Sequence, residues 1–336
     1  MTLNVGVIGV GMIGQDHIRR FRTVLSGAQV VAVSDVDADR AGAVAADIGA
    51  KAHSSGEDLI NDAAVDAVVV TSWGPTHEPY VLAGIAAGKP IFCEKPLATT
   101  REACERIIDA EVAAGRRLVQ VGFMRRYDPQ YRAMKEVVRS GRIGAPLVVH
   151  ASHRNPSVPG HYTSDMVIND TVVHDIDTAR WLLDDEIAAL TVLKPRVSAK
   201  AAAGFNDPLI VLLEMRSGVV VDVEASVNAA YGYDIRGEVL GEEGTVELSE
   251  SSGVIVKHEG TFSGRVPMDW KERFARAFDI EFAEWVDAVS SGAPTGPSAW
   301  DGYAATACTD TGLAALQSGL REPVALRDRP PLYEEA

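Results

Sequence analysis

Ten residues near the start of the chain, Val5-Gly6-Val7-Ile8-Gly9-Val10-Gly11-Met12-Ile13-Gly14, leave few folds open. A short apolar run suited to a buried strand breaks into glycines and then into a helical pattern. Gly9, Gly11 and Gly14 fit G-x-G-x-x-G. In such a turn the first glycine makes the bend and the second lets backbone approach a pyrophosphate. The third lets the helix pack closely on the strand, and the helix N-terminus faces the phosphates. The motif alone is weak, but its context is right. Asp35 lies twenty-one positions beyond Gly14, at the end of the next apolar run, Val30-Val31-Ala32-Val33-Ser34, where a carboxylate meets the ribose hydroxyls of a bound dinucleotide.

Strand and helix then alternate. An alanine-rich helix runs to Gly49, a strand from Val65 to Val70, and a helix from Glu78 to Ala87. A strand over Pro90–Cys93 follows, then a helix from Arg101 to Ala114 and a strand from Leu118 to Gly122. Short connections between such units predict a doubly wound parallel sheet, a Rossmann domain over residues 1–122. The rest, 123–336, reads as a second α/β domain. It has helices over Pro129–Ser140 and Asp170–Leu183 and a strand over Leu147–Ser152. Clustered strands follow over Leu190–Val197, Leu209–Met215, Val219–Val227, Asp234–Leu240 and Thr245–Leu248, with a hairpin turn at Arg216-Ser217-Gly218. Their alternation predicts a mostly antiparallel sheet, open on one face. A helix striped with Phe274, Phe278, Phe282, Trp285 and Val289 is broken at Gly292-Ala293-Pro294, and Ser298 with Asp301 caps the last helix, Ala299–Ser318. These last helices can pack back on the first domain.

A net charge of −15 argues against nucleic acid or an anionic membrane as partner. The first strand begins by Leu3, which leaves no room for a signal peptide, and no apolar run reaches the length of a membrane span. A cytoplasmic protein is expected. Cys93, Cys104 and Cys308 show no paired spacing, and there is no H-E-x-x-H, so no metal is expected.

Ligands of open α/β sheets sit at the carboxyl ends of strands. Val36, not a phosphate-pairing arginine, follows Asp35, which favours NAD, while Arg40 keeps NADP open. Asp35 could instead only cap its strand. Thr71-Ser72-Trp73-Gly74 and Cys93-Glu94-Lys95-Pro96 end two further strands. An ammonium at Lys95 can hold a substrate hydroxyl and stabilise negative charge on its oxygen; the bland alternative is a solvated lysine. Asp170 and His174, four residues apart, fall within 40° of each other at 100° per helical residue. Val172, Ile176, Ala179 and Leu183 cluster on the opposite side. Histidine suits a general base, and a neighbouring carboxylate orients and stabilises it; a surface ion pair is the alternative. His77, His153 and His161 suit hydrogen bonding to a ligand better than metal ligation.

Three segments together resemble the glucose–fructose oxidoreductase/inositol dehydrogenase/rhizopine-catabolism family over nearly the whole chain. They are Gly9–Gly14, Ala87–Pro96 with its Glu94-Lys95-Pro96, and Val173-His174-Asp175-Ile176-Asp177. Further segments resemble its branch of NAD-dependent myo-inositol dehydrogenases. These are Thr71-Ser72-Trp73-Gly74-Pro75, Gly122–Pro129, His153-Arg154-Asn155, Ser164-Asp165-Met166, Asp170-Thr171, Tyr233-Asp234-Ile235 and Gly296–Tyr303. The broader family has Thr-Pro-Asn-x-x-His where this chain has Thr71-Ser72-Trp73-Gly74-Pro75-Thr76-His77. The resemblance implies oxidation of myo-inositol to its 2-keto product with NAD. Another cyclitol or pyranose (scyllo- or chiro-inositol, glucose) and a non-catalytic NAD-binding regulator are the alternatives. It implies Lys95, Asp170 and His174 as the catalytic set. Cofactor contacts are implied at Gly9, Gly11, Met12, Ile13, Gly14, Asp35, Val36, Thr71, Ser72, Trp73, His77, Glu94 and Lys95. The substrate wall implied is Lys95, Met124, Arg125, His153, Asn155, Asp170, Thr171, His174 and Tyr233. A cis Lys95-Pro96 bond is also implied, as is a homo-oligomer, a tetramer, formed through the second domain.

Overall fold

The computed structural model describes residues 2–249, 255–292 and 295–334. The chain divides into two compact units: residues 1–123, 278–306 and 327–336, and residues 124–277 and 307–326.

In the first unit, strands β1 (Leu3–Ile8), β2 (Ala28–Ser34), β3 (Lys51–His53), β4 (Ala67–Val70), β5 (Ile91–Glu94) and β6 (Val119–Gly122) form one sheet in the order β3-β2-β1-β4-β5-β6. Every pair in it is parallel. Helices α1 (Met12–Thr23), α2 (Ala38–Ile48), α3 (Gly56–Asn61), α4 (His77–Ala86) and α5 (Arg101–Ala114) connect the strands. β4 and β5 are buried along their whole length, as parallel strands covered on both faces must be, which is why β4 reads as an unbroken apolar run and β5 as one as far as Cys93. Caps are local and sequence-borne: Asp37, Ser55 and Thr100 accept from the first-turn amides of Arg40, Asp58 and Ala103. Sequence patterning misses β3 and α3, three and six residues long, because neither contains enough turns or alternations to show a period. Phe282 and Trp285, from the apolar stripe of a late helix, and Val286 beside them join Val5, Val7, Phe21 and Phe92 in this unit's core.

The second unit is built on α6 (Pro129–Arg139), β7 (Pro146–Arg154), a short α7 (Ser164–Met166), a π-turn (Val167–Val172) and α8 (Val173–Leu183). Strands β8 (Ile187–Leu193), β9 (Leu209–Met215), β10 (Val220–Ser226), β11 (Asp234–Gly241) and β12 (Thr245–Glu247) follow. After a hairpin of β13 (Val256–His258) and β14 (Thr261–Ser263) come α9 (Trp270–Ser291) and α10 (Ala299–Ser318), whose residues 278–306 belong to the first unit, and then β15 (Glu322–Pro323). The large sheet runs β12-β11-β7-β10-β9-β8-β15. The β7–β10 pair is parallel and its other pairs are antiparallel. On β9 alternate residues are buried, which leaves one face open. β8 stops at Leu193, short of the expected Val197, because Pro195 has no N–H for a ladder. β7 extends to Arg154, two residues past the expected Ser152, so His153 is its last residue but one. The expected helix break at Gly292-Ala293-Pro294 lies partly outside the described residues.

Candidate functional site

In the first unit the glycine turn is close-packed at two of its glycines and open at the third. Gly9 has φ +91°, and a Cβ there would lie 2.5 Å from Ser72 Cα. A Cβ on Gly14 would lie 2.1 Å from the Gly9 carbonyl oxygen. At Gly11, the N-cap of α1, a Cβ would meet nothing within 4 Å. Backbone is therefore bare where the first-turn amides of α1 point outward, as a pyrophosphate requires. The Thr71 hydroxyl donates to the Gly9 carbonyl at 2.6 Å and so braces the turn.

Asp35 does two things at once. Its Oδ2 accepts from Val10 N–H at 2.8 Å, and its Oδ1 accepts from Asp37 N–H at 2.9 Å and Arg40 Nη2 at 2.6 Å. Burial would raise its pKa, but these hydrogen bonds outweigh it and hold the carboxyl below its usual range. At the carboxyl ends of the adjacent strands β2, β1 and β4, Val36, Met12 and Trp73 are 101 %, 64 % and 77 % exposed. Large apolar side chains left bare on one sheet edge mark a ligand surface, and the flat rings of a dinucleotide would cover them. The residues present fit NAD.

Lys95 follows β5 and is half-buried, and the Lys95–Pro96 bond is cis. Glu94 accepts from Lys95 N–H at 3.2 Å. His77 opens α4, and its Nδ1 and Nε2 lie 2.7 Å from the Pro96 carbonyl and 2.9 Å from the Ser72 carbonyl. The imidazole thus ties the loop after β4 to the loop after β5.

In the second unit a buried polar cluster surrounds Asp175. Its Oδ1 accepts from Arg125 Nη1 at 2.6 Å, and its Oδ2 lies 2.9 Å from His153 Nδ1. Arg125 Nη2 is 2.9 Å from the same nitrogen, and Tyr233 OH is 3.2 Å from His153 Nε2. All four side chains are almost wholly buried. Burial works against the charge on Asp175, but Arg125 and His153 prevail and hold its pKa below the usual carboxyl range. Burial pushes the Tyr233 phenol up to about 12. Met124 and Thr171 are buried, and Asn155 is half-buried, with its backbone held by Ser226 and Ala229.

The helix expected from Asp170 is not uniform. Val167–Val172 form a π-turn, and regular α-helix begins at Val173. The 100° increment therefore does not apply across Asp170. Val172, Ile176 and Ala179 are buried as expected, but so are Val173, Asp175, Asp177, Thr178 and Arg180 around the rest of the helix, so the expected two faces do not separate; Asp170 is exposed and His174 half-buried. Leu182, not Leu183, completes the buried stripe. The His174 ring is 6.3 Å from that of His153, centroid to centroid. Sequence reasoning assigned no role to Asp175 or to Tyr162, whose hydroxyl is 2.9 Å from Asp170 Oδ2. The signal for Asp175 is an acidic residue inside an apolar helical stripe.

A Rossmann sheet with an open glycine turn and a strand-end carboxylate, joined to a second unit rich in buried polar groups, defines a dinucleotide-binding α/β protein. Family models agree: residues 3–123 match the oxidoreductase family with NAD-binding Rossmann fold, and residues 131–247 match the GFO/IDH/MocA C-terminal domain. The chain is 58% identical to inositol 2-dehydrogenase 3 of Saccharopolyspora erythraea, over 99% of this chain and 98% of that one. It is 54% identical to inositol 2-dehydrogenase of Azotobacter vinelandii, over 100% of both. Among solved structures it matches myo-inositol dehydrogenase of Lactobacillus casei in complex with NAD(H) and myo-inositol. The TM-score is 0.97 at 41% identity, covering 99% of this chain and 100% of that one. The chain belongs to the GFO/IDH/MocA oxidoreductase family. Among the described residues no helix is long and apolar enough to cross a membrane.

Proposed function

We propose that this protein oxidises myo-inositol to 2-keto-myo-inositol with NAD as hydride acceptor. The observation that carries the substrate is the buried set of donors and acceptors in the second unit, Arg125, His153, Asp175 and Tyr233, beside Asp170, Thr171 and His174. A ring of hydroxyls calls for many directional polar partners, and 58% identity to an inositol 2-dehydrogenase supports the same ligand. Gly9, Gly11 and Gly14 with the first turn of α1 hold the pyrophosphate, Asp35 the adenosine ribose, and Val36, Met12 and Trp73 the rings.

Bound NAD supplies the hydride acceptor. As the hydroxyl proton leaves, the oxygen gains negative charge, which flows into the new C=O bond as hydride departs, and the Lys95 ammonium stabilises that charge more than it stabilises the neutral alcohol. His174 takes the hydroxyl proton, and the Asp170 carboxylate stabilises the imidazolium so formed. The protein works as a cytoplasmic homotetramer. Leu193, Ile210, Leu212, Val220, Val148 and Leu240 share the open face of the large sheet, and Leu193, Val220 and Leu240 are exposed, which supports self-association there. Light scattering on the purified protein gives the subunit count.

The test is NADH absorbance with a panel of myo-, scyllo- and chiro-inositol and glucose. NADH should appear with myo-inositol and more slowly with the others, and NADP offered in place of NAD should give only weak formation of NADPH. No turnover of any polyol would replace this reading with a non-catalytic NAD-binding regulator.

A further inference from the structure

We propose that Tyr162 is a positioning residue for this chemistry, a clamp that holds Asp170 and Thr171 side by side on the π-turn. The inference rests on the roles proposed for Asp170, Thr171 and His174. The Tyr162 hydroxyl lies 2.9 Å from Asp170 Oδ2, 2.7 Å from Thr171 Oγ1 and 2.9 Å from the Met166 carbonyl oxygen. A phenol has one proton to give, and two of its three neighbours, the carboxylate and the carbonyl, can only accept. Thr171 therefore donates to the phenol oxygen, and the phenol donates onward, its charged neighbour Asp170 being the stronger acceptor.

The clamp is fixed from behind. Tyr162 N–H donates to the Pro159 carbonyl at 2.9 Å, and its ring packs 6.4 Å from that of Phe205. Thr163 caps Met166 N–H, and Ser164 Oγ accepts from Asn206 N–H at 2.8 Å. A π-turn carries one residue more per turn than the α-helical ladder supports and occurs mostly where function requires it. Here that extra residue falls in the segment that presents Asp170 and Thr171, and Tyr162 bonds both of them. The charged and titratable groups facing the phenol are Asp170 on the π-turn and Tyr233 from the segment before β11, with His174 one turn beyond Asp170. Burial, and then the Asp170 charge, push the phenol's pKa well up. It stays a donor throughout the working range of pH.

Tyr162→Phe keeps the ring and removes the bond. In the NAD-saturated enzyme kcat/KM for myo-inositol should fall about ten- to a hundred-fold, the loss of one hydrogen bond to a charged group. Without that donor the Asp170 charge is less dispersed and raises the pKa of His174. The acid limb of the kcat/KM profile should then move to higher pH, while the dissociation constant for NAD stays at the wild-type value. Binding of myo-inositol, measured by calorimetry on the enzyme loaded with NADH, should weaken in parallel. A variant with wild-type kcat/KM and an unmoved acid limb overturns the proposal, as does one that loses only thermal stability. Should Tyr162→Phe not fold, Tyr162→Met removes the same donor with a flexible apolar side chain of similar reach, and an unmoved acid limb there overturns it equally. If the wild type itself oxidises no polyol, the proposed function fails; if it does and Tyr162→Phe matches it, only the clamp fails.

Discussion

His17 Nε2 lies 2.8 Å from Glu94 Oε1, joining the first helix to the residue before Lys95. Arg20 Nη1, which can only donate, is 3.1 Å from His17 Nδ1, so Nδ1 accepts and Nε2 carries the proton. Phe282, Phe278 and Phe92 surround the ring. The other Glu94 oxygen accepts from Lys95 N–H. His17→Leu should lower stability in urea by about 2–3 kcal/mol, because a buried carboxylate loses its donor. His17→Gln should recover most of this. Burial lowers the pKa of His17 below 6.5, so the unfolded chain binds this proton first. Wild-type stability should therefore fall as pH drops below about 6.5, and His17→Leu should lack that component.

Cofactor choice turns on Asp35. Arg40 is already 2.6 Å from its carboxylate, so Asp35→Ser frees a guanidinium as it removes the charge that repels a 2′-phosphate. Combined with Val36→Arg, it should raise the NADP-over-NAD ratio of kcat/KM by at least about 10²-fold, or roughly 2.7 kcal/mol. A pair of substitutions that keeps full NAD preference would leave Asp35 as a brace of the glycine turn alone.

Lys95→Ala should cut kcat by about 10²-fold or more, near 2.7 kcal/mol, with little change in NAD affinity. Asp170→Asn should cost a similar factor and also lower the apparent pKa of the base, because the imidazolium loses its carboxylate. Rapid-mixing measurements of NADH formation across pH separate the two. A rate loss at Lys95 without a pH shift, and one at Asp170 with it, is the expected pattern.

Glu111 offers a purely structural check. It is buried, and its oxygens accept from Leu118 N–H, Val119 N–H and Tyr333 OH. Burial raises its pKa above 4.5 despite these bonds. The folded state therefore holds this proton more tightly, and the group's contribution to stability falls as pH rises above 4.5. Glu111→Gln keeps an acceptor for both amides and buries no charge. Its melting temperature should exceed that of the wild type at pH 7, and the gap should close as pH approaches 4.5.

The parts of the fold written in local order are legible in the sequence. The alternation of β1 through α5 follows from apolar runs broken by glycine. The capping box that starts α10 is a four-residue statement, with Ser298 N–H donating to Asp301 Oδ2 at 2.7 Å. The glycine turn and Asp35 are legible for the same reason. Long-range pairings are not: no local pattern says that β10 pairs in parallel with β7, seventy residues away. The π-turn was invisible too, because its period changes within six residues. Asp175 was hidden because its partners, Arg125 and His153, lie 50 and 22 residues earlier. Tyr162 sits in a loop with no periodicity, and only its neighbours in space show what it does.

Phe282 stacks 4.2 Å from Phe92, a residue 190 positions earlier, in the core that also holds Val5 and Val7. On the ribosome this has a cost in time. The first 123 residues emerge with their sheet specified but one wall of its core unmade, and that wall starts at residue 278. At about 5–20 residues per second the interval lasts roughly 10–30 s. The half of the protein that is translated first is thus finished nearly last. Until then the uncovered side of Phe92 is what a chaperone, or a neighbouring nascent chain, encounters.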